Sequence, residues 1–289
     1  MSKKINFERL KLGGILPQRQ NGDLYSIRLR IVGGQLNSNQ LRALADATEK
    51  YGSGEIHITS RQGVEISYVP IDYADKMLDE LENSGVHQGA CGPRVRGIVS
   101  CQGNRVCPRG LIDAEYIAGK IDEKYFAKNL PSKFKFAVTG CPASCMKPQE
   151  NDFGIMGSIE PKWVGENCTF CGLCESTCPT DAIKIEDNTI HIDRDKCNLC
   201  GDCISICPTE AWIKANSGYT IYVGGKVGRF PKLAIKLIEM VEEDELFKII
   251  DKTFNFYKEN AQPDERFRNT IDRVGFDNYK QSVLTQDHD

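Results

Sequence analysis

The sequence predicts an α+β protein of about two domains, the second interrupted by a small cysteine-rich unit. Three observations carry this. In the first third of the chain, short runs of strict apolar–polar alternation exchange with longer stretches of helical periodicity. From Cys168, a pattern of four cysteines and a proline recurs 29 positions later. Strand-like segments lie on both sides of that repeat, breaking off after NDFGIMG and resuming at TIYVGGKVGR.

Residues 24–31 place Tyr25, Ile27, Leu29 and Ile31 on one face and Ser26, Arg28 and Arg30 on the other, which is a half-buried strand. Asn37 or Ser38 then opens a helix with Leu41, Leu44, Ala45 and Thr48 along one side. EIHITS and VEISYV flank RQG as a hairpin, and a second amphipathic helix covers about 71–82 with Ala74, Met77, Leu78 and Leu81 as its stripe. This β-α-β-β-α order makes residues 1–85 a first unit resembling a ferredoxin-like split βαβ. A second, α/β unit is expected over 86–163 and 216–289. In it VRGIVSCQG is a strand leading into Cys101, residues 112–127 form a helix through Ile117, Ile121 and Tyr125, and FKFAVTG runs into Cys141. Residues 164–215 form the insert, and two or three helices close the chain. Inserts of this kind sit at surface loops.

Composition narrows the function classes. The 289 residues carry 37 basic and 40 acidic side chains, a formal charge of −3, which is no nucleic-acid footprint. Thirteen cysteines are an odd number and cannot close into a full disulfide framework. The opening MSKKINFERLKLGG has lysines but no apolar stretch behind them, and no later run approaches a membrane span, so a soluble cytoplasmic protein is expected. Thiols in a reducing compartment point to metal or redox chemistry.

Cys168, Cys171, Cys174 and Cys178 are spaced x2, x2, x3 before Pro179; Cys197, Cys200, Cys203 and Cys207 repeat the spacing before Pro208. That is the spacing of two-cluster bacterial ferredoxins, in which the fourth cysteine of each run crosses to the other cluster. One [4Fe–4S] set is therefore Cys168, Cys171, Cys174 and Cys207, and the other Cys197, Cys200, Cys203 and Cys178. A pair of zinc knuckles is the alternative for such CxxC pairs. Cys101 and Cys107, with Cys141 and Cys145 in a Gly-Cys-Pro turn, would suit a third cube if the two loops meet; otherwise they are buried thiols. Cys91 reads as a small buried hydrophobe. The four histidines, His57, His87, His191 and His288, show no metal spacing.

C-x5-C followed by TGCP-x2-C resembles the cluster and siroheme signature of the siroheme sulfite and nitrite reductases. TSRQG at Thr59–Gly63, RGIVSCQG from Arg96, LPSKFK at Leu130–Lys135 and GGKVGR at Gly224–Arg229 extend the likeness over about residues 20–280. With the insert placed after NDFGIMG, the order is most similar to the catalytic subunit of anaerobic sulfite reductases. The resemblance implies siroheme plus three [4Fe–4S] clusters, with Cys145 bridging siroheme iron to the third cube. It implies a substrate-binding quartet of Arg61, Arg96, Lys133 and Lys135, and Gln62 and Arg94 toward the siroheme carboxylates. Ala143 stands where many relatives have asparagine, so one polar contact is missing or supplied elsewhere. Familiar assimilatory relatives contain two copies of the siroheme-binding half, the basic residues of one facing the cluster of the other. This chain has one, which leaves a site shared between subunits or a compact single-copy site.

Chemistry agrees with these residue types. Siroheme carries eight carboxylates and wants a cationic pocket, and guanidinium forks match the oxygens of a small oxyanion. A lysine crowded by other cations has a lowered pKa and becomes a better proton donor. Lys133 and Lys135 lie two apart, on one face of a strand. A solvated strand face is the competing reading, and it is the one applied to Arg28 and Arg30. The expected function is six-electron reduction of sulfite to sulfide, with electrons arriving through the insert. Nitrite reduction to ammonia at the same cofactor, or a non-catalytic iron–sulfur carrier, are the alternatives. GGKVGR is not G-x-G-x-x-G, so the reductant comes from a partner, either a flavoprotein subunit or a soluble ferredoxin. An oligomer is expected.

Overall fold

The structure, a computed structural model, describes residues 10, 13–19 and 23–285; the opening run MSKKINFER and His288 lie outside the described residues. The first unit runs β1 (Ile15–Pro17), β2 (Leu24–Arg30), α1 (Ser38–Tyr51), β3 (Ile56–Ile58), β4 (Val64–Pro70), α2 (Ile71–Glu82) and β5 (His87–Gln88). Its antiparallel sheet has the order β1-β2-β4-β3, with β5 pairing β2 as well. The expected β-α-β-β-α core is present. The sequence reading missed β1 and β5, pieces of two or three residues too short to show a period.

Ile27, Ile66, Met77 and Leu78 are fully buried between this sheet and its helices. Asn37 rather than Ser38 caps α1: its side chain accepts from the Asn39 and Gln40 N–H groups, and Gln40 Oε1 accepts from the Asn37 N–H. The buried stripe of α1 is Leu44, Ala47, Thr48 and Tyr51. Leu41 and Ala45, expected on it, are exposed. At about 100° per residue they stand roughly 60–110° round from the centre of that stripe, on its flank.

The second unit begins with β6 (Val99–Ser100), α3 (Ala114–Tyr125), β7 (Phe136–Thr139) and β8 (Phe153–Trp163). There follows a compact excursion: α4 (Leu173–Thr177), the hairpin β9 (Ile183–Glu186) and β10 (Thr189–Ile192), and α5 (Asp202–Ile206). The chain then returns as β11 (Trp212–Val223) and β12 (Ile235–Val241), and ends in α6 (Glu243–Asn260), α7 (Phe267–Val274) and α8 (Phe276–Leu284). The sheet order is β12-β11-β8-β7-β6, with β6, β7 and β8 parallel and β11 and β12 antiparallel. Aromatic rings fill the space between sheet and helices: Phe134, Phe136, Phe254, Tyr257 and Phe267 meet at ring separations of 5.1–6.0 Å.

β8 and β11 pair along almost their whole length, up to Trp163 opposite Trp212, and the cysteine-rich excursion sits at the end of that ladder. It has its own small core of Ile183, Ile190 and Trp212 with Cys174 and Cys203. The main sheet resumes at Trp212, four residues before the position read from the sequence, because the ladder continues through those residues. VRGIVSC is not one strand either. Arg94 and Val95 make only isolated bridges, and Arg96 falls between them and β6.

Gly157 of β8 crosses the Gly140 turn so closely that an added Cβ would lie 2.4 Å from the Gly140 carbonyl oxygen and 2.8 Å from Ile112. Gly157→Ala is therefore expected to cost about 1–3 kcal/mol by overpacking, measured by denaturant unfolding.

Candidate functional site

The TSRQG turn between β3 and β4 inserts Arg61 into the second unit. Arg61 donates to Asn151 Oδ1 at 2.7 Å and to the Gly97 and Phe136 carbonyls, both at 2.9 Å. Burial lowers its pKa to about 10, helped by neighbouring Arg96 and opposed by Asp152. Arg96 donates to the Ala90 and Gly92 carbonyls, while its Nε is buried without a partner. Lys133 and Lys135 flank the fully buried Phe134 just before β7. Lys135 is lowered to about 8, by burial first and then by Arg61.

All four line one cleft between the two units, with about 900 Å³ of empty space. Two further cations line it, Arg28 and Arg30, for which the sequence predicts only a solvated strand face. Arg28 and Arg30 project from the face of β2 opposite its core side. Arg28 pairs with Glu65 and donates to Cys91 Sγ at 3.3 Å. Arg30 donates through Nε to Asp122 Oδ2 at 2.7 Å and lies 4.2 Å from the Phe126 ring centroid. Two arginines in register on one strand face were a legible signal; what covers that face was not.

Below Lys135 sits Asp152, wholly buried, accepting from the Lys135 backbone N–H at 3.0 Å and from Arg266 at 2.9 and 3.1 Å. Nothing in the sequence tied Asp152 to an arginine 114 residues away. Gln62 and Arg94 do not line the cleft. Gln62 uses both ends of its amide on the Ser100 backbone, at 2.8 and 2.9 Å. Arg94 Nε donates to Asn129 Oδ1, and its Nη1 is buried without a partner.

The cysteines gather in three sets. Cys178, Cys197, Cys200 and Cys203 line one small cavity, and Cys168, Cys171, Cys174 and Cys207 line another. Trp212 lines both, and its buried indole N–H is directed at the Cys174 sulfur. Burial pushes the Cys200 thiol up to about 11 and Cys203 up to about 12. Cys101, Cys107 and Cys145 form the surroundings of Cys141, whose thiol is raised by burial first and by their charges. The Gly140 N–H points at Cys101 Sγ, 3.0 Å away. None of the thirteen cysteines is paired in a disulfide.

Among the described residues no three His, Cys, Asp or Glu side chains converge closely enough to hold a single metal ion. A zinc knuckle needs such convergence; an iron–sulfur cube is wider and binds each thiolate to a separate iron. Cysteines gathered in fours around small cavities fit the larger group. Six cations in one cleft, with Arg96 Nε unpaired, likewise fit a polycarboxylate.

Comparison with known proteins agrees. The "Nitrite/Sulfite reductase ferredoxin-like half domain" matches residues 16–84, and the "Nitrite and sulphite reductase 4Fe-4S domain" matches residues 91–288. The chain belongs to the nitrite and sulfite reductase family. This is a family of oxidoreductases that carry siroheme and a [4Fe–4S] cluster.

Among its relatives, the chain is 36% identical over 274 residues to the coenzyme F420-dependent sulfite reductase of Methanocaldococcus jannaschii, covering 94% of this chain but 44% of that protein. It spans less than half of that relative's length. It is 30% identical to a subunit of the anaerobic sulfite reductase of Salmonella typhimurium, over 89% of this chain and 82% of that relative. Its fold is that of the crystal structure of dissimilatory sulfite reductase I, at a TM-score of 0.76, 22% identity and coverage of 95% and 76%. No described helix is long and apolar enough to cross a membrane.

Proposed function

We propose that this family member reduces sulfite to sulfide, and that its reaction site is completed between two copies of the chain. The observation that carries the second part is geometric. Arg96, Lys133 and Lys135 precede parallel strands β6 and β7, whereas Cys101 and Cys141 follow them. Lys135 and Cys141 are six positions apart along nearly extended chain, roughly 20 Å at strand spacing. No cysteine of the quartet lines the cleft. Cys145 would hold the cofactor at the cysteine end of the strands, and the cationic cleft facing it would be that of a partner copy related by two-fold symmetry.

Siroheme, when bound, supplies the iron at which the oxyanion is reduced. In this reading Arg61, Arg96, Lys133 and Lys135 bind the substrate, and Arg28 and Arg30 add charge for siroheme carboxylates. SO3²⁻ with six electrons and six protons gives S²⁻ and three waters, so a proton source must stand beside the departing oxygens. Lys135, held near 8, is that source in its ammonium form.

Turnover with saturating small reductant is expected to fall as pH rises through about 8. Lys135→Gln is expected to lose that limb of the kcat/KM profile. Nitrite competes for the same cleft, and side-by-side turnover assays separate the two substrates. Three cysteine sets and one siroheme predict about thirteen irons per chain. Eight irons without a tetrapyrrole would leave the iron–sulfur carrier instead. Electrons reach this site from a donor protein through the cysteine-rich unit of residues 164–211.

A further inference from the structure

The 29-residue repeat gives the two cysteine sets of the insert near-identical frames, so positions at which the copies differ are informative. Leu173, beside Cys174, corresponds to Asp202 beside Cys203; Ile206, beside Cys207, corresponds to Thr177 beside Cys178. Both apolar members flank the same set, that of Cys168, Cys171, Cys174 and Cys207. Both are exposed, Leu173 at 40% and Ile206 at 39%, and Cys171 is exposed with them.

The other set faces inward. One cleft is lined on one side by Cys141, Pro142 and Ala143 and on the other by Pro179, Asn198 and Cys200. A backbone link spans the same gap. The Ile159 N–H of β8 donates to the Leu199 carbonyl at 2.9 Å, and two residues back Gly157 packs on Gly140, next to Cys141. The set of Cys178, Cys197, Cys200 and Cys203 is thus the inner one. Ala143 gives that approach a small side chain.

Charge identifies the visitor. Residues 164–211 carry nine Asp and Glu against three Lys and Arg, although the whole chain is only three negative. Glu166 and Glu210, close in sequence to Cys168 and Cys207, are exposed. An acidic surface around a small apolar centre recruits a partner of opposite charge and speeds its encounter.

We propose that a one-electron donor protein with a basic docking face binds over Leu173 and Ile206 at the outer cysteine set, and that the inner set stands between it and Cys141. This rests on the reductase reading for the direction of flow. At each encounter the donor, a reduced flavin or iron–sulfur protein, would lose one electron to the cluster that Cys168, Cys171, Cys174 and Cys207 would hold; no bond is made or broken.

Ferricytochrome c, a basic protein that accepts one electron, serves as the probe against dithionite-reduced full-length protein in stopped flow. The bimolecular rate is expected to fall steeply with ionic strength. At low salt it is expected to drop at least about tenfold in a Leu173→Lys, Ile206→Lys double variant, with iron content and cluster EPR unchanged. Glu49→Lys, exposed on α1 of the first unit, makes the same change of charge away from the cysteine-rich unit; it is the control and is expected to alter the rate less than about threefold. Should the double variant lose iron, Glu166→Lys with Glu210→Lys carries the same test. A wild-type rate in the patch variant, or an equal loss in the control, overturns the proposal. Sulfite turnover of the wild type with reduced methyl viologen, which needs no docking face, tests the reductase reading separately. Its failure alongside a patch-dependent cytochrome rate would sink that reading and leave the docking surface standing.

Discussion

Co-expressing a Lys135→Gln chain with a Cys145→Ser chain is expected to restore sulfite turnover that neither variant shows alone. Each homodimer has one defect in both of its sites and should fall at least about 100-fold, since one variant removes the proton donor and the other a ligand of the cofactor. In the mixed dimer both defects fall in the same site, which leaves the other intact. If the chains mix randomly, recovery to about a quarter of wild-type turnover follows. Tagging the two chains differently isolates the mixed dimer, for which about half is expected. Turnover that stays at the level of the single variants would place cleft and cysteines in one chain, against the strand-end argument. The experiment reads the shared site directly because it needs no knowledge of how the copies pack.

Removing the Asp152 carboxylate should have the largest effect on stability. Asp152→Ala leaves Arg266 as a partly buried charge and the Lys135 N–H without its acceptor. Breaking a buried pair from one side costs about 3–5 kcal/mol, read as a shift in the denaturant midpoint. Asp152→Asn keeps an oxygen for that N–H and should cost less. It also tests the electrostatics. Asp152 raises the pKa of Lys135 against burial and the surrounding cations, so neutralising it moves the pH limb of turnover below 8. An unmoved limb would assign the titration to another group.

These two experiments fall on features of different legibility. The cysteine sets could be read because their spacing is local: a turn of fixed length delivers each thiol, and the repeat displays the turn twice. The hairpin carrying Arg61 was legible for the same reason, since alternation and turn residues lie within a few positions. The α1 stripe was misread at Leu41 and Ala45 because several apolar residues fit a helical period, and only the sheet beneath selects among them. Arg28 and Arg30 were visible as a strand face but not as the wall of a cleft, because the opposing wall lies far along the chain.

The amino-acid sequence by itself determined the local chemistry of this protein: the cysteine turns, the paired lysines about Phe134, the start of α1 at Asn37 or Ser38 and the α+β order. Each depends on side chains within one turn or one strand, where backbone geometry leaves few choices. Tertiary structure alone decided that six cations share a cleft and that Asp152 and Arg266 meet beneath Lys135. It also set one cysteine set outward and the other inward, and put the cleft and the third set at opposite ends of the same parallel strands. Those outcomes depend on which elements pair across long stretches of chain, and that is fixed by burial of the common core rather than by any local pattern.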